Sequence, residues 1–183
     1  DQLGRDILAR ILCGYRTSLM TCGFAVLLAL IVGGSLGMLA AYYRGWFDRI
    51  VMRFMDVLFA FPIILLAIGI IAVLGPHSLS ASIAIAVVYV PIFARLLRGP
   101  SLVICESEYV RGARAIGASD LRIVFIHLLP NLASVILVQA SLLLSAAILV
   151  EASLSCLGMG AQPPTPSLGQ MLSEGRNFLL LNP

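Results

Sequence analysis

Residues 132–150 read LASVILVQASLLLSAAILV, an apolar run that contains no charged side chain. A helix that crosses the hydrocarbon core of a bilayer, roughly 30 Å thick, needs about 20 such residues, because each residue adds about 1.5 Å. The apolar residues follow one another instead of alternating with polar ones, which argues against a strand of a membrane barrel. This stretch therefore predicts a membrane-spanning helix, and it sets the class of the whole chain.

Three further apolar runs lie upstream, at residues 17–43, 54–74 and 79–97. Hydrophobic residues make up 60% of the 183 residues and charged residues only 11%, and the mean hydropathy is +1.03. Water-soluble domains carry about 25% charged residues, so this composition excludes an ordinary soluble domain. The sequence predicts an all-α, polytopic transmembrane helix bundle in which residues 1–183 form one domain with about four spans.

The arginines indicate how the spans are oriented. The loop after the first run holds Arg44 and Arg49, the loop at 75–78 holds no basic residue, and the loop before the last run is again rich in arginine. Positive loops stay in the cytoplasm, so the first and third loops are predicted to be cytoplasmic and both visible ends to lie outside. Arg5, Arg10 and Arg16 precede the first run and oppose this orientation; the two internal loops outweigh them.

The long polar interval at 108–131, EYVRGARAIGASDLRIVFIHLLPN, predicts two helices separated by a corner. The first runs from Glu106 to Ile116, with Tyr109, Ala113 and Ile116 on one face and an ion pair between Glu108 and Arg111. Gly117 follows where a left-handed residue ends a helix, and Ser119 can cap the next one. From spacing alone, the loop either docks in a groove on a partner protein or lies on the lipid headgroups.

The same interval resembles the EAA loop of permease subunits in binding-protein-dependent ABC importers. The pattern of that loop is Glu-Ala-Ala, three residues, Gly, nine residues and Ile-x-Leu-Pro. In this chain Arg111-Gly112-Ala113 takes the opening triplet, Gly117 the glycine, and the segment from His127 to Pro130 the close. Arg111, Gly112 and His127 depart from the pattern, and Arg111 stands where the pattern has an acid. Other segments, such as EASLSCLGMGAQPPTPSLGQMLSEGRN at 151–177, are similar to the dipeptide, oligopeptide and nickel branch of the family.

This resemblance implies a multi-pass permease subunit in a bacterial inner membrane, which forms the path for peptides or a related solute and performs no bond chemistry. The implied partners are ATP-binding subunits, a second, homologous permease chain, an extracytoplasmic substrate-binding protein and the lipid bilayer. It also implies that the chain is an interior piece, with one further span at each end. The coupling loop at 100–130 would contact the ATPase subunit through these residues: Glu108, Tyr109, Arg111, Gly112, Ala113, Arg114, Gly117, Ala118 and Pro130.

Several residues in or beside the spans allow two interpretations each. Glu151 closes the last run, where it either lines the substrate path or pairs with a helix end. Asp56 and Arg95 lie near the cytoplasmic interface, where they either snorkel to the interface or pair with each other. Gly33 and Gly37 form a GxxxG pair that favours close packing against a helix of this chain or of another. Pro62 and Pro91 interrupt the second and third runs, and Pro130 lies early in the last span; each serves either as a hinge or as plain packing geometry.

Motifs for catalysis are missing from the sequence. The chain has no lysine and therefore no phosphate-binding P-loop, and HExxH is absent. We expect no cofactor and no metal site. The net charge of +3 comes from arginines that set the topology, so we also expect no nucleic-acid partner. The alternative functions are a polytopic membrane enzyme, which would need clustered acids or nucleophiles, and an ion-coupled transporter, which would need ionisable residues at mid-membrane depth.

Overall fold

The computed structural model describes the backbone of residues 6–162 and 165–179, and the side chains as far as residue 175. The helices, in chain order, are α1 Ile7–Ala29, α2 Ser35–Tyr43, α3 Gly45–Phe59, α4 Ile63–Leu74, α5 Ser78–Glu106, α6 Glu108–Ala115, α7 Asp120–Arg122, α8 Leu129–Cys156 and α9 Leu168–Leu179. Wider π-helical turns join α1 to α2 at Leu30–Gly34 and α7 to α8 at Ile123–Leu128. The described part of the chain contains no strand, as predicted for an all-α membrane protein.

Within the described residues, three helical stretches are long and apolar enough to cross a membrane: Ile7–Tyr43, Ser78–Glu106 and Asp120–Cys156. Each of the three helical stretches extends beyond its predicted apolar run at one or both ends. Helices continue beyond the apolar run because backbone hydrogen bonding does not require apolar side chains. Pro91 and Pro100 both lie inside α5, which continues through them, so Pro91 does not break the third span.

The predicted span at 54–74 is interrupted at Pro62, as expected from the sequence, but it consists of two separate helices and not one kinked helix. The chain bends by 92° between α3 and α4, and the pair counts as a fourth span only if the two bent pieces are taken together. Pro62 stands at the bend with φ −57° and ψ 134°. A proline restricts the residue before it to extended conformations and offers no N–H to the helix, so the helix stops and a new one starts after it. Alone, the 12 residues of α4 would reach only about 18 Å.

The residues divide into two compact units. The first contains residues 1–27, 62–87 and 143–183, and the second contains 28–61 and 88–142. In the first unit, Ser82 Oγ donates a 3.1 Å hydrogen bond to the Thr21 carbonyl, which ties α5 to α1. In the same unit Arg10 pairs with Glu174 at 2.9 Å, which ties α1 to α9. The tail contains α9; Arg5 and Pro163-Pro164 lie outside the described residues.

In the second unit the GxxxG pair packs against the same chain. A Cβ atom added to Gly33 would collide with the carbonyl oxygen of Val90, and one added to Gly37 would collide with that of Ala94. Both carbonyls belong to α5, one turn apart, as the two glycines are. The absence of side chains lets the two backbones approach closely, so the neighbour that the sequence left open is α5.

Candidate functional site

The polar loop is built on α6, which is separated from the end of α5 by the single residue Ser107. Ser107 separates the two helices with an extended backbone, φ −64° and ψ 150°, so the first loop helix starts at Glu108 and not at the predicted Glu106. Val110 is fully buried, and it belongs to a hydrophobic cluster with Met38, Leu97, Cys105, Ile123, Leu128 and Leu132. This one apolar side chain anchors α6 to the ends of the membrane helices.

The face of α6 that carries Tyr109, Ala113 and Ile116 is mostly exposed. Tyr109 and Ile116 are 49% and 87% exposed, and Ala113 is half-buried, so these residues do not form the packed side of the helix. Tyr109 has one aromatic contact, with its ring 6.0 Å from that of His127. The exposed side chains of Tyr109 and Ile116 therefore lie, together with Gly112, on the surface of this chain.

The corner after α6 forms as predicted. Gly117 has φ +83°, in the left-handed region that favours glycine. The Gly117 N–H donates to the Arg114 carbonyl at 3.0 Å, and the Ala118 N–H donates to the Ala113 carbonyl at 3.0 Å. This pair of bonds defines the Schellman motif, which satisfies carbonyls left free at the end of a helix. No atom outside its chain neighbours would lie within 4 Å of a Cβ on Gly117, so a substitution there meets torsional strain and not a clash.

The second loop helix begins at Asp120 and runs directly into the last span. Ser119 occupies the position before it, but its side chain makes no capping hydrogen bond, so that part of the prediction is wrong. Asp120 instead receives hydrogen bonds from the hydroxyls of Tyr42, at 2.6 Å, and Tyr43, at 3.2 Å. Pro130 is the exposed second residue of α8, just after the π-helical turn. A wider turn before a proline accommodates the ring without ending the helix.

The predicted ion pair between Glu108 and Arg111 is not formed among the described residues. Both side chains are exposed, and an exposed pair offers too little free energy to fix two long side chains. Arg114, by contrast, places its guanidinium 4.5 Å from the centre of the Tyr42 ring. Arg44 donates a 2.9 Å hydrogen bond to Glu106. The Arg114 and Asp120 side chains therefore attach the loop to the end of α2, and the Arg44–Glu106 bond joins the ends of α2 and α5. Arg111 forms no ion pair among the described residues.

Sequence reasoning missed the residues that hold the loop from outside it. Tyr42, Tyr43 and Arg44 end the first span and begin the next loop, about 70 residues before the residues they contact. A pair of tyrosines at the end of an apolar run is typical of the membrane interface, and that was the one available signal. The position of the two tyrosines does not indicate which carboxylate their hydroxyls bind.

Glu151 belongs to the first unit, whereas the loop residues belong to the second. Its side chain is 2% exposed, and it accepts a 2.9 Å hydrogen bond from Ser18 Oγ.

Asp56 and Arg95 form the expected ion pair, and Arg95 also lies 4.2 Å from the centre of the Phe59 ring. A second pair, not foreseen from the sequence, joins Arg98 to both carboxylate oxygens of Asp48 at 2.6 Å.

The chain resembles known transport proteins in sequence. It is 49% identical over 183 residues to the glutathione transport system permease protein GsiD of Pectobacterium atrosepticum, which covers all of this chain and 61% of that protein. It is 49% identical over 179 residues to the dipeptide transport system permease protein DppC of Alkalihalophilus pseudofirmus, covering 98% of this chain and 59% of that protein. The chain thus spans about three fifths of the length of these relatives.

The fold is shared with a solved transporter. A chain of the inward-facing MetNI methionine ABC transporter superposes with a TM-score of 0.78 at 19% identity, covering 97% of this chain and 84% of that one. A second crystal form of the same transporter gives a TM-score of 0.75. The family model described as "binding-protein-dependent transport system inner membrane component" matches residues 33–181. This match covers most of the sequence, and the chain belongs to that family.

Proposed function

We propose that this chain is part of the permease subunit of an ATP-driven importer, and that its α6–α7 loop couples the spans to a separate ATPase subunit. The observation that carries the proposal is the corner at Gly117. It holds α6 at an angle to the helix that leads into α8, so that movement of α6 is passed to the last span through a continuous helix. α6 is also fixed to the end of α2 through Arg114, and a displacement of the loop reaches that span too.

The surface of α6 fits a docking role. Its one buried side chain, Val110, faces the cluster beneath it, while Gly112 and Ile116 are exposed. An exposed apolar residue beside a glycine gives a partner both a contact and room for close approach. The same surface would also suit lipid headgroups, which makes lipid binding the outcome to exclude.

Family membership and the named relatives support our proposal for the other partners. A second permease chain, two ATP-binding subunits and an extracytoplasmic substrate-binding protein complete the importer. Glutathione and dipeptides, the solutes in the relatives' names, are both short peptides, and we propose a short peptide as the cargo. The arginine-rich loops, which lie together in the second unit, would face the cytoplasm.

The experiment replaces Gly117 by valine in the full-length permease, with Gly69→Val, in α4 and outside the loop, as the matched control. A branched residue at φ +83° costs at least about 1 kcal/mol, whereas position 69 is exposed and helical and has no described atom within 4 Å of an added Cβ. Gly117→Val should insert normally but retain less ATPase subunit in a pull-down and show weaker stimulation of ATPase activity by loaded binding protein. Normal assembly, stimulation and uptake in Gly117→Val would show that the loop is not the coupling element.

A further inference from the structure

An open hollow of about 430 Å³ lies beside α6, lined by Tyr42, Arg44, Cys105, Glu106, Arg111 and Arg114. All of these residues belong to the second unit. The hollow contains three arginines and one carboxylate, and that carboxylate is already paired, because Glu106 accepts the hydrogen bond from Arg44. The remaining positive charge is carried by Arg111 and Arg114, which are three residues apart and so lie on the same side of α6.

The two remaining arginines differ in how they are held. Arg114 is fixed over the Tyr42 ring, and Tyr42 is in turn fixed by its hydrogen bond to Asp120. Arg111 is exposed and has no ion pair within the part of the chain that the structure describes. One guanidinium is thus pre-positioned and the other is available, an arrangement that reduces the ordering cost of binding an anion.

We infer that Arg111 and Arg114 form a receptor for a carboxylate side chain of the ATPase subunit, an inference that rests on the proposed coupling role of α6. The planar guanidinium group matches a carboxylate through two parallel hydrogen bonds. Arg111 also stands where the EAA loop pattern has a glutamate. This loop therefore presents a positive charge at a position where the pattern has a negative one. The complementary surface must then be acidic, since like charges across an interface are strongly unfavourable.

The test uses the full-length permease reconstituted with its ATPase subunit, and it measures the affinity between the two as the salt concentration rises. Arg111→Glu should weaken binding at low salt by roughly tenfold or more, and Arg111→Gln by less, because reversal adds repulsion to the loss of attraction. The difference between wild type and Arg111→Gln should shrink at high salt, where exposed charges are screened. Arg53→Glu is the matched control: Arg53 is an exposed arginine of α3 that does not line the hollow, and its reversal should leave binding unchanged.

Comparison of the variants, a change of lipid and a charge swap distinguish the ways in which the inference could fail. If Arg111→Glu binds like wild type while Gly117→Val binds weakly, the coupling role stands and the carboxylate receptor is refuted. If both variants bind like wild type, the coupling role itself fails. If the Arg111→Glu defect appears in nanodiscs that contain anionic phospholipid and disappears in purely zwitterionic ones, the hollow binds a lipid phosphate and the inference is overturned. Restoration of Arg111→Glu binding by an acid-to-arginine change in the ATPase subunit would support it directly.

Discussion

The hydroxyl of Tyr42, at the end of α2, donates a 2.6 Å hydrogen bond to Asp120 Oδ1, at the start of α7. Tyr43 donates to the other oxygen of the same carboxylate at 3.2 Å. The carboxylate therefore joins the end of the first span to the helix that leads into the last one. Because Arg114 of α6 lies over the Tyr42 ring, both α6 and α7 contact this tyrosine.

Replacing Tyr42 by phenylalanine should loosen the loop without removing the ring beneath Arg114. A hydrogen bond to a carboxylate contributes about 1.5–3 kcal/mol when it is shielded from water and less at an exposed site such as this one, and Tyr43 retains the other half of the contact. We expect a small drop in the thermal unfolding midpoint of the solubilised full-length permease and a clearer loss of ATPase stimulation. Tyr15→Phe is the control, since no hydrogen bond of the Tyr15 hydroxyl is found in the described chain. Equal behaviour of the two variants would contradict a structural role for the Tyr42 hydroxyl.

Gly37→Ala should destabilise the second unit. The added methyl group collides with the Ala94 carbonyl, and overpacking of this kind costs about 1–3 kcal/mol. Gly23→Ala, in α1, has no atom within 4 Å of its new methyl group, and it should be neutral or stabilising because alanine favours a helix by about 1 kcal/mol over glycine. Thermal unfolding of both variants measures the difference. A Gly37→Ala protein as stable as Gly23→Ala would show that α2 and α5 do not approach closely.

The two arginine pairs near the loop should differ in strength. Asp48 and Arg98 keep only 15% and 33% of their side chains exposed and form two hydrogen bonds, so Asp48→Asn should cost about 1.5–3 kcal/mol. Glu106 and Arg44 are 69% and 46% exposed, and Glu106→Gln should cost less than about 1 kcal/mol. Unfolding in rising salt distinguishes them, since the exposed pair is screened more readily. The reverse order of stability would refute this ranking.

Glu151→Gln should be tolerated. Its one hydrogen bond in the described structure comes from a neutral hydroxyl, and the glutamine carbonyl can accept the same bond from Ser18. Ser18→Ala should be worse, by about 1 kcal/mol or more, because it leaves a buried carboxyl group without its donor. Stability and peptide uptake should be measured on both variants. Loss of uptake in a fully stable Glu151→Gln protein would favour the path-lining role over the packing role.

Cysteine labelling tests the orientation. In full-length permease without its native cysteines, Arg49→Cys should resist an impermeant thiol reagent in intact cells, and His77→Cys should react. Both positions are exposed in this chain, one in the arginine-rich first loop and the other in the arginine-free second loop. Permeabilised cells provide the control, since both sites should then react. The opposite pattern in intact cells would place the coupling loop outside and would remove the basis for ATPase docking.

The sequence by itself determined the class of the protein and the local shape of the loop. Apolar runs long enough for a bilayer leave helices as the main solution, because lipid offers the backbone no hydrogen-bond partner. Gly117 was predictable because a left-handed residue at a helix end strongly favours glycine, whatever the helix contacts. The Asp56–Arg95 pair could also be foreseen, since the two charges lie at similar depth and an unpaired charge near lipid is costly.

Tertiary structure alone decided the contacts between distant segments. Val110 became the buried side chain of α6 because the position of the helix over the cluster depends on α2, α5 and α8 together. Whether Pro62 would kink a helix or end it could not be read locally, since Pro91 lies within an uninterrupted helix while Pro62 marks a 92° bend. Tyr42 meets Asp120 across 78 positions of sequence. A pattern of residue types specifies which groups can pair, but only packing brings two such groups within a few ångströms of each other.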